Sequence, residues 1–170
     1  MEFFQKKFDL HTLLQQVNRW RLKNERIVFT NGCFDILHPG HVHYLHHAKA
    51  LGNRLVVGVN TDHSVKRLGK SPNRPYNDEL ARLSVLAALS SVDALILFDD
   101  DTPLELIKSI QPDVLVKGGD YDAQCSDPAN KKYIVGSSEV RALGGKVEAI
   151  EFLTGFSTTS LVKLIQNDHE

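Results

Sequence analysis

The segment Thr30-Asn31-Gly32-Cys33-Phe34-Asp35-Ile36-Leu37-His38-Pro39-Gly40-His41 concentrates more reactive chemistry than any other stretch of the chain. Two imidazoles stand three residues apart where Pro39 fits the first turn of a helix, so His38 and His41 can face one ligand. A helix start leaves backbone N–H groups unpaired and carries the positive end of the helix dipole, and both favour an anion such as phosphate. Gly32 and Gly40 would let that anion approach the backbone. Neither the G-x-G-x-x-G dinucleotide fingerprint nor G-x-x-x-x-G-K-[ST] occurs.

A second candidate anion site is Gly155-Phe156-Ser157-Thr158-Thr159, ahead of the last apolar-periodic segment. One hydroxyl there would cap a helix; three in a row after a glycine exceed that need and suit phosphate oxygens. Between the two sites lies the basic, turn-rich stretch Lys66, Arg67, Lys70, Arg74, which reads as a solvated loop or as a mobile lid over a polyanion. Arg82, on the helix after it, faces the same space or the surface. Asp35 and Asp120 close the first and fourth strands, and Gly118-Gly119 would admit a ligand close to the backbone. His43, His46 and His47 lie farther along their helix and read as solvated or packing residues. No cysteine or carboxylate completes a zinc site with them.

These residues must be positioned by the elements around them. Asp9 is the expected cap of a helix through Leu10, Leu13, Leu14 and Val17 that ends near Asn24. Ile27-Val28-Phe29, Leu55 to Val59, Ala94 to Phe98, Val114-Leu115-Val116 and Val147 to Phe152 read as five strands. Between them run helices from Pro39 to Gly52, from Asp78 through Ala87, from Thr102-Pro103 through Ile110, and from Ser137 or Ser138 to Gly144. A last helix carries Leu161, Val162, Leu164 and Ile165. Continuously apolar strands alternating with amphipathic helices imply a parallel sheet covered on both faces. The expectation is one α/β domain over 1–170, a Rossmann-like doubly wound sheet of about five parallel strands. Residues 1–25 form its N-terminal helix and 26–167 its catalytic core. Ligands in such sheets bind beyond the carboxyl ends of the strands, where the loops above lie.

Composition narrows the classes. At 170 residues, 42% hydrophobic and 24% charged, the chain can bury a core without crosslinks. A net charge of −1 draws it to neither nucleic acid nor anionic membrane. Any bound anion must therefore be held locally. Cys33 and Cys125 are far apart, which suits a reducing compartment. The start lacks an apolar run and no segment approaches about 20 apolar residues, so a cytoplasmic protein without membrane or nucleic-acid partners is expected.

G-x-F-D at Gly32 to Asp35, followed by H-x-G-H at His38 to His41, resembles the HIGH-motif nucleotidyltransferases, the cytidylyltransferases and small adenylyltransferases related to class I tRNA synthetases. The resemblance covers Ile27 to Ile165. Ser64-Val65-Lys66-Arg67-Leu68, Lys117-Gly118-Gly119-Asp120-Tyr121 and Gly155 to Thr159 are similar to the branch acting on heptose 1-phosphate, which makes ADP-heptose for lipopolysaccharide. The resemblance implies transfer of AMP from ATP to a sugar 1-phosphate, with Mg²⁺ held mainly by phosphates and no protein metal site. It implies catalytic roles for His38, His41 and Lys66 or Lys70. It places the nucleotide against Thr30, Asn31, Gly32, Cys33, Phe34, Gly40, Lys117, Gly118, Phe156, Ser157, Thr158 and Thr159, and the acceptor against Asp35, Gly119, Asp120 and Arg82. One departure from the family pattern stands at Phe152-Leu153-Thr154, where related cytidylyltransferases carry an arginine just before the glycine. A homodimer and a separate sugar kinase that supplies the acceptor are further implications. Rival readings are transfer to glycerol phosphate, phosphocholine or phosphopantetheine, a nucleotide-binding module without turnover, and an RNA-binding relative.

Overall fold

Asp9 caps the first helix, its Oδ1 accepting from the Thr12 backbone N–H at 2.8 Å, and Leu13, Val17 and Trp20 form the buried stripe of that helix. The computed structural model describes residues 5–69, 73–119 and 121–167. Six parallel strands make one sheet: β1 (Lys7–Phe8), β2 (Ile27–Gly32), β3 (Arg54–Asn60), β4 (Ala94–Phe98), β5 (Val114–Gly118) and β6 (Lys146–Ile150), in the order β1-β4-β3-β2-β5-β6. Helices α1 (Leu10–Arg21), α2 (Pro39–Ala50), α3 (Asp62–Arg67), α4 (Glu79–Ala87), α5 (Leu104–Ile110), α6 (Ser137–Ala142) and α7 (Thr158–Asn167) surround it.

Side chains alternate across the pleat, so each apolar strand feeds two cores. Ile27 and Phe29 point to a cluster with Leu13 and Trp20 of α1, Ile107 and Ile110 of α5, and Val140 of α6. Val28, Val57 and Val114 point the other way, onto Tyr44, Leu45 and Ala48 of α2 and Leu83 and Leu86 of α4. The expected doubly wound α/β sheet is present, with one strand more than about five.

The extra strand is β1, two residues that pair with Leu95 and Ile96. Two residues are too short to show a period, and only the exposed edge of β4 makes them a strand. A second difference is α3. The stretch from Lys66 was expected to be turn-rich, yet Lys66 and Arg67 close a helix capped by Thr61, whose Oγ1 accepts from the Ser64 backbone N–H at 3.1 Å. Ser64 and Val65 are the buried face of that helix, a stripe too short to stand out beside the charges after it.

The chain leaves β2 toward β3 on one side, whereas β5 lies on the other. This reversal opens a crevice above the carboxyl end of β2.

Candidate active site

Above that crevice lies a cavity of about 720 Å³. Asn31 to Asp35, from the end of β2 and the loop after it, form its floor, and His38, Gly40 and His41 form one wall. Phe156, Ser157, Thr158 and Thr159 line the same cavity. The starts of α2 and α7 are close neighbours: a side chain at Gly40 would stand 3.0 Å from the His38 ring and 3.3 Å from Phe156 Cβ. Two helix starts of 12 and 10 residues thus turn their unpaired N–H groups toward one volume.

His38 is the residue that caps α2, with extended backbone and no side-chain cap hydrogen bond. Its ring stacks on His41, with centroids 3.8 Å apart and planes at 24°. The Nδ1 atoms of both rings are buried and have no hydrogen-bond partner among the described residues. Phe34 meets His41 edge-on at 5.3 Å. It does so from a left-handed backbone, φ 48°, a conformation that costs a non-glycine residue about 1–2 kcal/mol. Strain of this kind collects where function needs a fixed side chain, and here it wedges the Phe34 ring between Gly32 and His41.

Burial holds His41 down to a pKa of about 4, helped by the neighbouring His38 and opposed by a backbone hydrogen bond with Ile36. Burial also lowers His38. Both rings are therefore neutral at pH 7, and each carries one N–H. Since His41 titrates below the ordinary value of 6.5, the unfolded chain binds more protons between pH 6.5 and about 4. Stability is complete above that window and falls as pH drops through it. Acidification from pH 7 to 5 should cost on the order of 2 kcal/mol through His41. Urea unfolding of His41→Asn should show a correspondingly shallower fall; equal slopes in both proteins would refute the burial.

Asp35 is buried. Its Oδ1 accepts from the Tyr76 and Asn77 backbone N–H groups at 2.8 and 3.0 Å, while Oδ2 has no hydrogen-bond partner among the described residues. Lys117 lines the cavity, donates to the Asn31 carbonyl at 3.3 Å and stands 5.5 Å over the Tyr121 ring. Ser157 Oγ accepts from the Ser160 backbone N–H at 3.0 Å, so one hydroxyl of the three serves the cap. Among the described residues no group of three His, Cys, Asp or Glu could hold a metal, and no helix is long and apolar enough to cross a membrane.

Four of the expected site residues do not line the cavity. Thr30 does not line the cavity: fully buried, its Oγ1 bonds the Tyr44 hydroxyl at 2.6 Å beneath the floor. Lys66 is exposed on α3, away from the lining. Gly119 is needed less for a ligand than for Phe152, since a Cβ there would lie 1.8 Å from that ring and the backbone has φ 74°. Arg82 neither lines this cavity nor lies at the surface but is buried to 1% exposure. Lys70 and Asp120 lie outside the described residues.

The sequence reading missed several cavity residues. Tyr44, Asn60, Asp101 and Phe152 all line it, as does Arg74 of the basic stretch already singled out. Phe152 and Phe156 stay 63% and 45% exposed, and an apolar ring left open beside a cavity is a signal available only in three dimensions.

The model of the cytidylyltransferase-like family matches residues 29–163. The chain belongs to the cytidylyltransferase-like family. As a family member it is a nucleotidyltransferase by class. It is 52% identical to the bifunctional protein HldE of Methylobacillus flagellatus, over 91% of this chain and 30% of that protein. It is 56% identical to HldE of Histophilus somni, over 86% and 29%. The nucleotidyltransferase chain thus spans about three tenths of the length of these relatives. The lipopolysaccharide core biosynthesis protein from Thermoplasma volcanium superposes with a TM-score of 0.57 at 33% identity, over 76% of this chain and 97% of that one. A pantoate-beta-alanine ligase from Francisella tularensis, at 14% identity and a TM-score of 0.53, shares the fold.

Proposed function

We propose that this nucleotidyltransferase transfers AMP from ATP to a heptose 1-phosphate, giving ADP-heptose and pyrophosphate for lipopolysaccharide core synthesis in the cytoplasm. The convergence of two helix starts and two stacked neutral imidazoles on one cavity carries the reading, because that arrangement suits a polyphosphate. Similarity to HldE and to a lipopolysaccharide core protein supports the sugar acceptor. A sugar kinase activity upstream would make the 1-phosphate, and a homodimer is compatible with the family.

An oxygen of the acceptor phosphate attacks the α-phosphorus, and the bond from that phosphorus to the α,β-bridging oxygen breaks. Pyrophosphate leaves with the electron pair. The attacking oxygen is already an anion, so no base must remove a proton. The site has to supply position and charge stabilisation. His38 and His41 donate N–H groups to phosphate oxygens as charge moves toward pyrophosphate, and the α7 start receives its terminal oxygens. Lys66, Lys70 and Arg74 are the cations offered by the basic segment, and of these Arg74 lines the cavity. Mg²⁺ would enter with the nucleotide, held mainly by its phosphate oxygens. When bound, it would supply positive charge to offset that on the departing pyrophosphate.

Phe152 and Phe156 provide the base with a flat apolar surface in place of the family's arginine. Aromatic stacking contributes about 1–3 kcal/mol per base, so Phe152→Ala should raise the KM for ATP about tenfold and leave kcat within about twofold. An unchanged KM would place the base elsewhere. The reading as a whole is tested by pyrophosphate release with ATP, CTP and GTP against both heptose 1-phosphate anomers. Glycerol 3-phosphate, phosphocholine and phosphopantetheine serve as competing acceptors. Release from one of those alone would transfer the reading to it, and no release from any acceptor would end it.

A further inference from the structure

Arg82 does not line the 720 Å³ cavity, yet its guanidinium is bonded to the site's supports on all sides. Nε donates to the Asn77 carbonyl at 3.1 Å, Nη1 to the Cys33 carbonyl at 2.6 Å, and Nη2 to the Asn60 carbonyl at 2.7 Å and to Asp62 Oδ1 at 2.8 Å. Cys33 belongs to the loop after β2, Asn60 ends β3, Asp62 begins α3, and Asn77 precedes α4. Three chain segments that the topology brings together at one end of the sheet (Cys33, Asn60 with Asp62, and Asn77) therefore share one planar cation. A buried charge of this kind is costly to desolvate and is tolerated when its fixed fork of donors is filled.

The bonds close a ring around Asp35. Asn77 takes one donor from Arg82 on its carbonyl, gives its own N–H to Asp35 Oδ1, and donates through Nδ2 to the Asp35 carbonyl at 2.6 Å. Cys33, two residues before Asp35, is held by the same guanidinium. Between them Phe34 keeps its left-handed backbone. With Oδ1 fixed by two backbone donors, Asp35 is left with a buried Oδ2 that no described residue satisfies, beside the cavity it helps to line.

We infer that Arg82 is a positioning residue for the acceptor half of the site, aiming Asp35 Oδ2 at the acceptor's hydroxyl groups without touching the substrate. The inference rests on the acceptor reading given above. It weighs on the acceptor side: Arg82 makes no bond to the α7 start and meets His41 only indirectly, through Phe34, whereas Asp35 is held through both Asn77 and Cys33. Lysine cannot replace it, because a single ammonium cannot serve four oxygens in one plane.

The test uses Arg82→Lys, with Asp62→Asn as the milder variant that removes the partly exposed counter-charge and leaves the guanidinium. Arg82→Lys is expected to lower kcat/KM for the acceptor by about 30-fold, with affinity for Mg·AMPPNP by calorimetry within about twofold. Asp62→Asn should move the same way by about threefold. Combining Arg82→Lys with Asp35→Asn should cost no more than the worse single change, since both remove one function. Hydrogen exchange supplies a readout that needs no turnover: the Tyr76 and Asn77 amides should exchange about tenfold faster in Arg82→Lys, while Val28 and Leu115 in the sheet do not change. Additive losses, a parallel fall in nucleotide affinity, or unaltered exchange at Tyr76 and Asn77 would each overturn the inference. If the wild-type protein turns over no acceptor, the function proposal fails, and the exchange measurement still decides the role of Arg82. Should Arg82→Lys not fold, Asp62→Asn carries the same comparison.

Discussion

Replacing His41 or His38 by alanine is expected to lower kcat for pyrophosphate release by about 10²–10³-fold each, the usual loss when one preorganised donor is removed. The rings are neutral before the nucleotide arrives, because burial lowers both. Their contribution is therefore a directed N–H, and not a standing positive charge. A neutral donor gains most when the oxygen it faces becomes more negative, which occurs as the bridge to pyrophosphate breaks. The effect should fall on kcat more than on the KM for ATP. The double variant should lose less than the product of the single losses, since stacked rings 3.8 Å apart share one ligand. The rings have few ties to the fold: Nδ1 of each has no partner among the described residues, and His41 keeps one backbone hydrogen bond with Ile36. Thermal unfolding above pH 7 should accordingly change little. Rapid-quench measurement of the first turnover would separate chemistry from product release, and near-normal turnover in both purified variants would remove the imidazoles from the mechanism.

Asp35→Asn should cut kcat/KM for the acceptor by about 100-fold while the KM for ATP stays within about twofold. The substitution is chosen for its shape. Asparagine Oδ1 can still accept from Tyr76 and Asn77, so the loop remains anchored. Its amide then places a donor where the structure has an unpaired carboxylate oxygen. An acceptor hydroxyl loses a charge-assisted bond, a class worth roughly 1.5–3 kcal/mol. Initial rates with varied heptose 1-phosphate at saturating ATP measure the change. A rise in the KM for ATP instead, with acceptor kinetics unaltered, would assign Asp35 to the nucleotide.

The order of elements, the parallel sheet and the two helix starts were legible in the amino-acid sequence because each rests on local periodicity or on caps: apolar runs at Ile27, Leu55, Ala94 and Val114, Asp9 and Asp78 at helix starts, Pro39 in a first turn. The loops that line the cavity were legible as well, since a parallel sheet puts the loops after its strands on one side. The tertiary structure decided which side chains of those loops share a space. Arg82 carries the same charge as Arg74, and only packing puts one inside the protein and the other on the cavity. Gly119 signals room for something close, and only the fold reveals that the neighbour is Phe152. Thr30 looks like a ligand residue until the inward pleat of β2 turns it to Tyr44. Local pattern depends on neighbours within a turn or two, whereas burial and bonding depend on contacts across tens of residues.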